Sequence, residues 1–380
     1  MRMRRRVGIF LFLLTEIHFC WSETSNSRLA LIKDGNIYIG VLPDGQPTRI
    51  TDYQDTYRWP AVHGFSADGR KILYSINSDE LAAEKPIQPV HPPDRNYFVM
   101  GVDGSDSRLV FSHDAYGVFC LAPDGEFVAS VPCDDAGCGG SIEIIRTRDG
   151  ATVAKTPEWD CPPTDETQVM WSHDSKAIFY FQRIKEYFGF IEGYDQFFNL
   201  SHDQLIRFDI TSSRSNVIAD NLFLNGGPVL LLRPASDKLI AWGSSQPIKS
   251  PEPRFFGIMI DPETSSSQRM DLAERPLSLD PDTRKLYSVD WASRKMSIID
   301  PETGEGKELC KIETSADLHG LHLVRVNGQI QFTYPIELSP ASESKPAEYD
   351  TILFDPRTNE RKSLRTIYPG CALGAIWPSS

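Results

Sequence analysis

Short runs of strand-forming residues that stop at a tight turn, resume at once as a second such run, and return every fifty residues or so constrain this chain more than any other feature. The clearest copies are Phe65-Ser-Ala-Asp-Gly-Arg-Lys-Ile-Leu-Tyr74, Leu121-Ala-Pro-Asp-Gly-Glu-Phe-Val-Ala129 and Trp171-Ser-His-Asp-Ser-Lys-Ala-Ile-Phe-Tyr180, with weaker copies starting at Leu232, Leu279 and Leu323. Asp-Gly accepts the positive φ of a two-residue hairpin, so each copy reads as two antiparallel strands. A third run ends in another turn, as in Ile37 to Gly45, Tyr97 to Gly104 and the Asp-Pro-x-Thr segments at Asp261, Asp300 and Asp355. A more polar fourth run follows, such as Thr48 to Thr51 or Ser107 to Val110, and suits an outer edge.

Four strands per unit, repeated around a ring, is the blade of a β-propeller. Arg28 to Ile32, Asn36 to Leu42 and Pro47 to Thr51 read as the second, third and fourth strands of a blade that lacks its first. The segment Cys371 to Ser380 resembles the first strand beginning at Val169, and is expected to complete that blade and close the ring. With other first strands near Trp59, Val118, Val169, Val229, Leu277 and Leu321, the expected fold is all-β, a propeller of seven four-stranded blades. Six is the alternative, because the units near 226 and 276 are degenerate.

The Ser-x-Asp-Gly-Arg-Lys-Ile-Leu-Tyr and Asp-Gly-Asn-Ile-Tyr-Ile patterns resemble the WD40-like (PD40) repeats of TolB-type propellers, which also occur in dipeptidyl-peptidase-like enzymes. The resemblance is strongest over residues 28–182. It implies a propeller over nearly the whole mature chain, while the expectation of export is read from the leader. The α/β domain that precedes the propeller in TolB has no counterpart before these repeats, and no Gly-x-Ser-x-Gly nucleophile elbow of a peptidase domain occurs.

Arg2, Arg4, Arg5 and Arg6 precede the apolar run Val7 to Leu14, and Ser22 follows, the layout of a signal peptide over residues 1–22 with one propeller domain over 23–380. Eight apolar residues are too few to span a bilayer, for which about 20 are needed; an uncleaved anchor reaching Trp21 is the other reading. Removal of residues 1–22, which carry four arginines and Glu16, takes the net charge from −13 to −16. Such acidity disfavours nucleic acid and anionic membrane as partners.

Six cysteines follow the leader, an even number in an exported chain. Cys133-Asp-Asp-Ala-Gly-Cys138 is the candidate disulfide, with Cys161 as the alternative partner, while Cys120 and Cys371 fall in expected first strands. With neither Cys-x-x-Cys nor His-x-x-x-His spacing present, no metal or cofactor is expected.

In an up-and-down blade, the connections between second and third strands emerge on the same face as the links between blades. The long insertions at Asn77 to Arg95, Arg183 to Asp203 and Pro335 to Glu348 therefore share one face, the expected working face. Candidate ligand contacts there are Tyr187 and Tyr194 in the aromatic fourth-blade insertion, Trp159 and Asp160 beside it, and Tyr57, Arg58, Tyr116, Gln168, Asn225, Arg275 and His319 at the entrances of the first strands. No catalytic residue is assigned. The expected function is a monomeric, exported binding or scaffold propeller with a peptide or protein ligand, a glycan being the lesser choice. The alternative is a propeller-fold polysaccharide lyase or hydrolase acting at the channel mouth, with a base such as His319 or Tyr116 beside Arg58 or Arg275.

Overall fold

The computed structural model describes residues 26–43, 45–53, 60–77, 95–113, 117–134, 137–138, 140–158, 169–190, 197–225, 230–232, 239–243, 256–261, 264, 266–270, 275–279, 285–290, 293–301, 303–313, 321–339, 348–369 and 371–377. Its first strands are β1 (Arg28–Lys33), β2 (Asn36–Val41) and β3 (Thr48–Arg49), followed by β4 (Ala61–Phe65), β5 (Lys71–Asn77), β6 (Arg95–Gly101) and β7 (Arg108–His113). Next come β8 (Gly117–Leu121), β9 (Phe127–Asp134), β10 (Gly137–Cys138), β11 (Glu143–Arg146) and β12 (Thr152–Lys155). Then follow β13 (Val169–Trp171), β14 (Ala177–Phe190), β15 (Phe197–Asp209) and β16 (Arg214–Asn225). The next set is β17 (Leu230–Leu232), β18 (Leu239–Gly243), β19 (Phe256–Asp261) and β20 (Ser266–Met270). After it run β21 (Arg275–Leu279), β22 (Leu286–Asp290), β23 (Lys295–Ile299) and β24 (Gly306–Lys311). The chain continues with β25 (His322–Val326), β26 (Gln329–Ser339), β27 (Glu348–Asp355), β28 (Glu360–Ser363), the single turn of helix α1 (Leu364–Ile367) and β29 (Ala372–Trp377).

All pairings are antiparallel and join neighbours in sequence except two: β9 pairs with β11 past β10, and β29 pairs with β1, in the order β29-β1-β2-β3. The expectation of uniformly four-stranded blades is corrected. Six sheets, not seven, have four strands; the sheet at residues 117–155 has five, because β9 runs past its blade and turns back as β10. The insertions are corrected as well. Arg183 to Asp203 is not a loop but a continuation of the β14–β15 hairpin, paired out to Phe190 and Phe197, and β26 likewise extends to Ser339 opposite Glu348.

The repeated Ser-x-Asp motif is a hydrogen-bonded hairpin turn. Ser66 Oγ donates to Asp68 Oδ1 at 2.6 Å and accepts the Lys71 amide at 2.9 Å, while Asp68 Oδ1 accepts the Arg70 amide. Gly69 takes φ 64° to close the turn. Ser172, Asp174 and Ala177 repeat the arrangement, with Ser175 at φ 59°. These turns also stitch neighbouring sheets together. Arg28 donates to the Gly69 carbonyl at 2.9 Å, the Ala67 amide to Pro123 at 2.9 Å, Lys71 to Glu126 at 2.6 Å and the Asp124 amide to Ser175 Oγ at 3.1 Å.

The apolar core lies between sheets, as the packing of twisted blades face to face requires. One cluster joins Ala30 and Ile37 to Val62, Ile72 and Tyr74; another joins Leu73, Tyr97 and Val99 to Phe119, Leu121 and Val128. Trp171, fully buried, packs with Val131, Ile144 and Phe208, and its indole donates to the Cys120 carbonyl at 3.0 Å. Leu29, Leu31 and Tyr368 meet Val324, Val326 and Leu353 across the seam, where Ser27 and Arg325 exchange two hydrogen bonds. Among the described residues, no helix is long and apolar enough to cross a membrane.

Candidate functional site

The first strand of the second sheet is irregular where its chemistry is concentrated. β4 and β5 pair Val62 with Tyr74 and Gly64 with Leu73, so His63 is an extra residue in the ladder. Such a bulge re-aims the side chain that occupies it. His63 Nε2 lies 2.8 Å from Ser75 Oγ, and Arg95, the first residue of β6, donates from Nε to the same hydroxyl at 2.9 Å. Burial, with a smaller contribution from the Arg95 charge, pushes the His63 pKa from 6.5 down to about 3. The imidazole is therefore neutral, and the direction of the Nε2–Ser75 hydrogen bond follows its tautomer. The Ser75 hydroxyl thus links the Arg95 guanidinium, which donates to it, to the His63 ring.

Aromatic rings wall this relay on the side of the third sheet. Tyr97 lies 5.2 Å from the His63 ring and 4.2 Å from Phe119, and stacks on Phe111 at 4.6 Å. Phe119 also meets His63 edge-on at 5.7 Å. The Tyr97 hydroxyl is buried without a hydrogen-bond partner, and desolvation raises its pKa, so it stays a neutral donor. Ser75 is 0% exposed. A hydroxyl held between a base and a guanidinium looks like an activated nucleophile, but one with no access to solvent cannot meet a substrate. What the arrangement can do is fix the guanidinium and the imidazole edge in a dry, aromatic setting at the start of the 78–94 connection.

Residues Tyr57, Arg58, Tyr116, Trp159, Asp160, Gln168, Tyr194 and His319 lie outside the described residues. Tyr187 and Asn225 both stand opposite Leu200, one from β14 and the other from β16, so one level of the extended fourth-sheet hairpin brings them together across a single strand. Arg275 opens β21 opposite Val289, on a different sheet. Cys133 of β9 stands opposite Cys138 of β10.

Sequence reasoning missed His63, Ser75, Arg95 and Tyr97. It also passed over His322, the first residue of β25, which burial pushes down to about pKa 4 and which stands opposite Thr333, whose buried hydroxyl has no partner. Among the described residues, no group of three His, Cys, Asp or Glu is placed to hold a metal ion.

No protein-family model and no curated protein matches the chain. Solved structures do. The β-propeller domain of the Trilobed protease from Pyrococcus furiosus aligns with 92% of this chain and 96% of its own at 12% identity and a TM-score of 0.52. An oligogalacturonate lyase in complex with manganese aligns over 89% and 85% at 15% identity and a TM-score of 0.48. A putative TolB from Agrobacterium tumefaciens aligns over 65% and 79% at 15% identity and a TM-score of 0.36. Identities this low speak to fold alone, and the last two likenesses are too loose to argue from. Together with the sheet order, the first places the chain in the class of β-propellers. The Pyrococcus domain is described as having an open velcro topology, whereas here β29 seals β1.

Proposed function

We propose that this protein is a TolB-like binding propeller, exported to the envelope or the medium, that recognises a peptide or protein on the face carrying the 78–94 connection. The observation that carries the reading is the Arg95–Ser75–His63 relay beside Tyr97. It holds polar groups in fixed orientation among aromatic rings, while its only hydroxyl next to a base is sealed from substrate. The net charge of −13 favours ligands that are neutral or basic overall, and supports neither nucleic acid nor an anionic bilayer as partner. The role needs no cofactor.

The test uses an array of immobilised peptides of varied charge and a panel of uronate-containing and neutral glycans, each assayed for binding and for bond cleavage. Peptide binding that falls at least about tenfold in Arg95→Met, with an unchanged melting temperature, supports the reading. Cleavage of a uronate glycan that disappears in His319→Ala would replace it with a lyase acting at the channel mouth.

A further inference from the structure

We propose that Cys133 and Cys138 form a cross-strand disulfide that locks the β9–β10 hairpin; its formation in the cell rests on the exported location proposed above. Opposed residues of an antiparallel ladder have Cα atoms about 4.5 or 5.5 Å apart according to their place in it, and both values fall in the range a disulfide bridges. Cys133 and Cys138 are such a pair, and Asp134 opposite Gly137 closes the hairpin beyond them.

The backbone on either side is anchored. β9 is held between β8 and β11 up to Ser130, and by β8 as far as Pro132, opposite Gly117. On the return, the Ile142 amide donates to Thr156 Oγ1 at 2.8 Å and the Thr156 amide to the Ile142 carbonyl at 3.0 Å, with Ser141, Ile142 and Thr156 all buried. Two ladder pairs alone make a marginal hairpin in water, so the covalent link has a purpose there.

The other described cysteines are poor competitors. Cys120 is buried in β8. Burial pushes the Cys310 thiol up to about 11, and it raises that of Cys371, so neither supplies much thiolate at neutral pH.

The chemistry is ordinary exchange with a disulfide donor, such as an oxidised protein dithiol or oxidised glutathione. The thiolate of one cysteine attacks a donor sulfur and displaces the other donor sulfur, giving a mixed disulfide. The second cysteine then attacks its neighbour's sulfur and expels the remaining donor thiol. Two protein thiols are oxidised, losing two protons and two electrons, and the donor is reduced to two thiols.

Cleavage on the amino side of aspartate puts Cys120, Cys133, Cys138 and Cys161 on four different peptides, because Asp124, Asp134, Asp135, Asp149 and Asp160 lie between them. The full protein is reduced, equilibrated with glutathione buffers of graded ratio, alkylated, digested and mapped by mass spectrometry. The expected product joins the Cys133 and Cys138 peptides, is two hydrogens lighter than their sum, and is absent in Cys138→Ser. A link from either cysteine to Cys161, or stable glutathione adducts on both without closure, would overturn the proposal. Protein taken from the producing cell without reductant is mapped in parallel. Closure in the buffers with both thiols free in the cell would count against export and leave the disulfide geometry standing.

Discussion

The two faces of the ring are built on opposite plans. On the short-hairpin face, carboxylates are ionised partners of turns. Asp149 is held down to about 2 chiefly by the Arg146 guanidinium, Asp103 is lowered by the Ser105 hydroxyl, Asp209 by the Ser212 amide and Asp355 by Arg357. Asp174 is lowered too, the Ser172 hydroxyl and the Lys176 amide outweighing its desolvation. On the long-connection side the perturbed groups among the described residues include two histidines forced neutral, His63 and His322, with unpartnered hydroxyls on Tyr97 and Thr333 beside them. One face spends its polar groups on closing turns and joining sheets; the other keeps some unspent at the mouths of the inner strands. Turn-closing carboxylates and buried neutral histidines are thus separated along the strand direction.

The comparison presupposes a closed ring, so the largest effect is expected from opening it. Deleting residues 371–380 removes β29 from β1 and should lower the melting temperature by roughly 10 °C or more, or abolish cooperative unfolding. Calorimetry of the truncated protein decides this, and an unchanged melt would mean that the seam carries no stability.

Acid should strike the two faces in sequence. Unfolded histidine binds its proton near pH 6.5 and folded His63 only near pH 3, so within that window the unfolded state holds more protons and stability falls as pH falls. Between pH 6.5 and 4.5 the loss from His63 is about 2 kcal/mol, with His322 adding in the same direction. The lowered carboxylates of the other face keep their contribution above about pH 4 and lose it as pH drops toward their folded values. Denaturant titrations across pH should show a shallower slope in His63→Gln over the upper window only. An identical slope would place the acid sensitivity elsewhere.

A smaller change sharpens the contrast from the other side. Ser66→Ala and Ser172→Ala each strip a buried turn of the hydroxyl that accepts an amide, and should cost about 1–2 kcal/mol in urea unfolding with peptide binding retained. Lost binding would relocate the ligand to the hairpin face. Lys71→Met, which removes the partly exposed ion pair with Glu126, should cost less than about 1 kcal/mol, and that cost should shrink at high salt.

The repeat was legible because its turn chemistry is local. Ser66, Asp68 and Gly69 interact within a few residues, so their spacing survives in the sequence, and the polar fourth runs mark exposed edges such as Thr48–Arg49 and Glu360–Ser363. The uniform four-strand unit failed at β10 because a two-residue strand carries no periodicity to read. The insertions were misread as loops because Ile184 and Lys185 continue an alternating pattern no differently from an irregular polar stretch, and only the register with β15 reveals the hairpin. The His63 cluster was hidden for another reason. Its bulge shifts the alternation of β4, and Ser75 and Arg95 meet only across the 78–94 connection, a pairing that depends on strand register rather than on any motif.

The β29–β1 seam has a consequence for the order in which the molecule can be made. Arg28 pairs with Trp377, and the Tyr368 hydroxyl bonds the Val41 carbonyl, 327 residues away along the chain. β1 therefore has no inner partner until β29 has been made, and the middle sheets, with their local hairpins, can form well before it. An emerging chain presents the exposed inner edge of β1 throughout that interval. The step that closes the ring is also the step that removes the edge, so slow completion of the stretch that ends in β29 should raise misassembly at this one strand more than anywhere else in the ring.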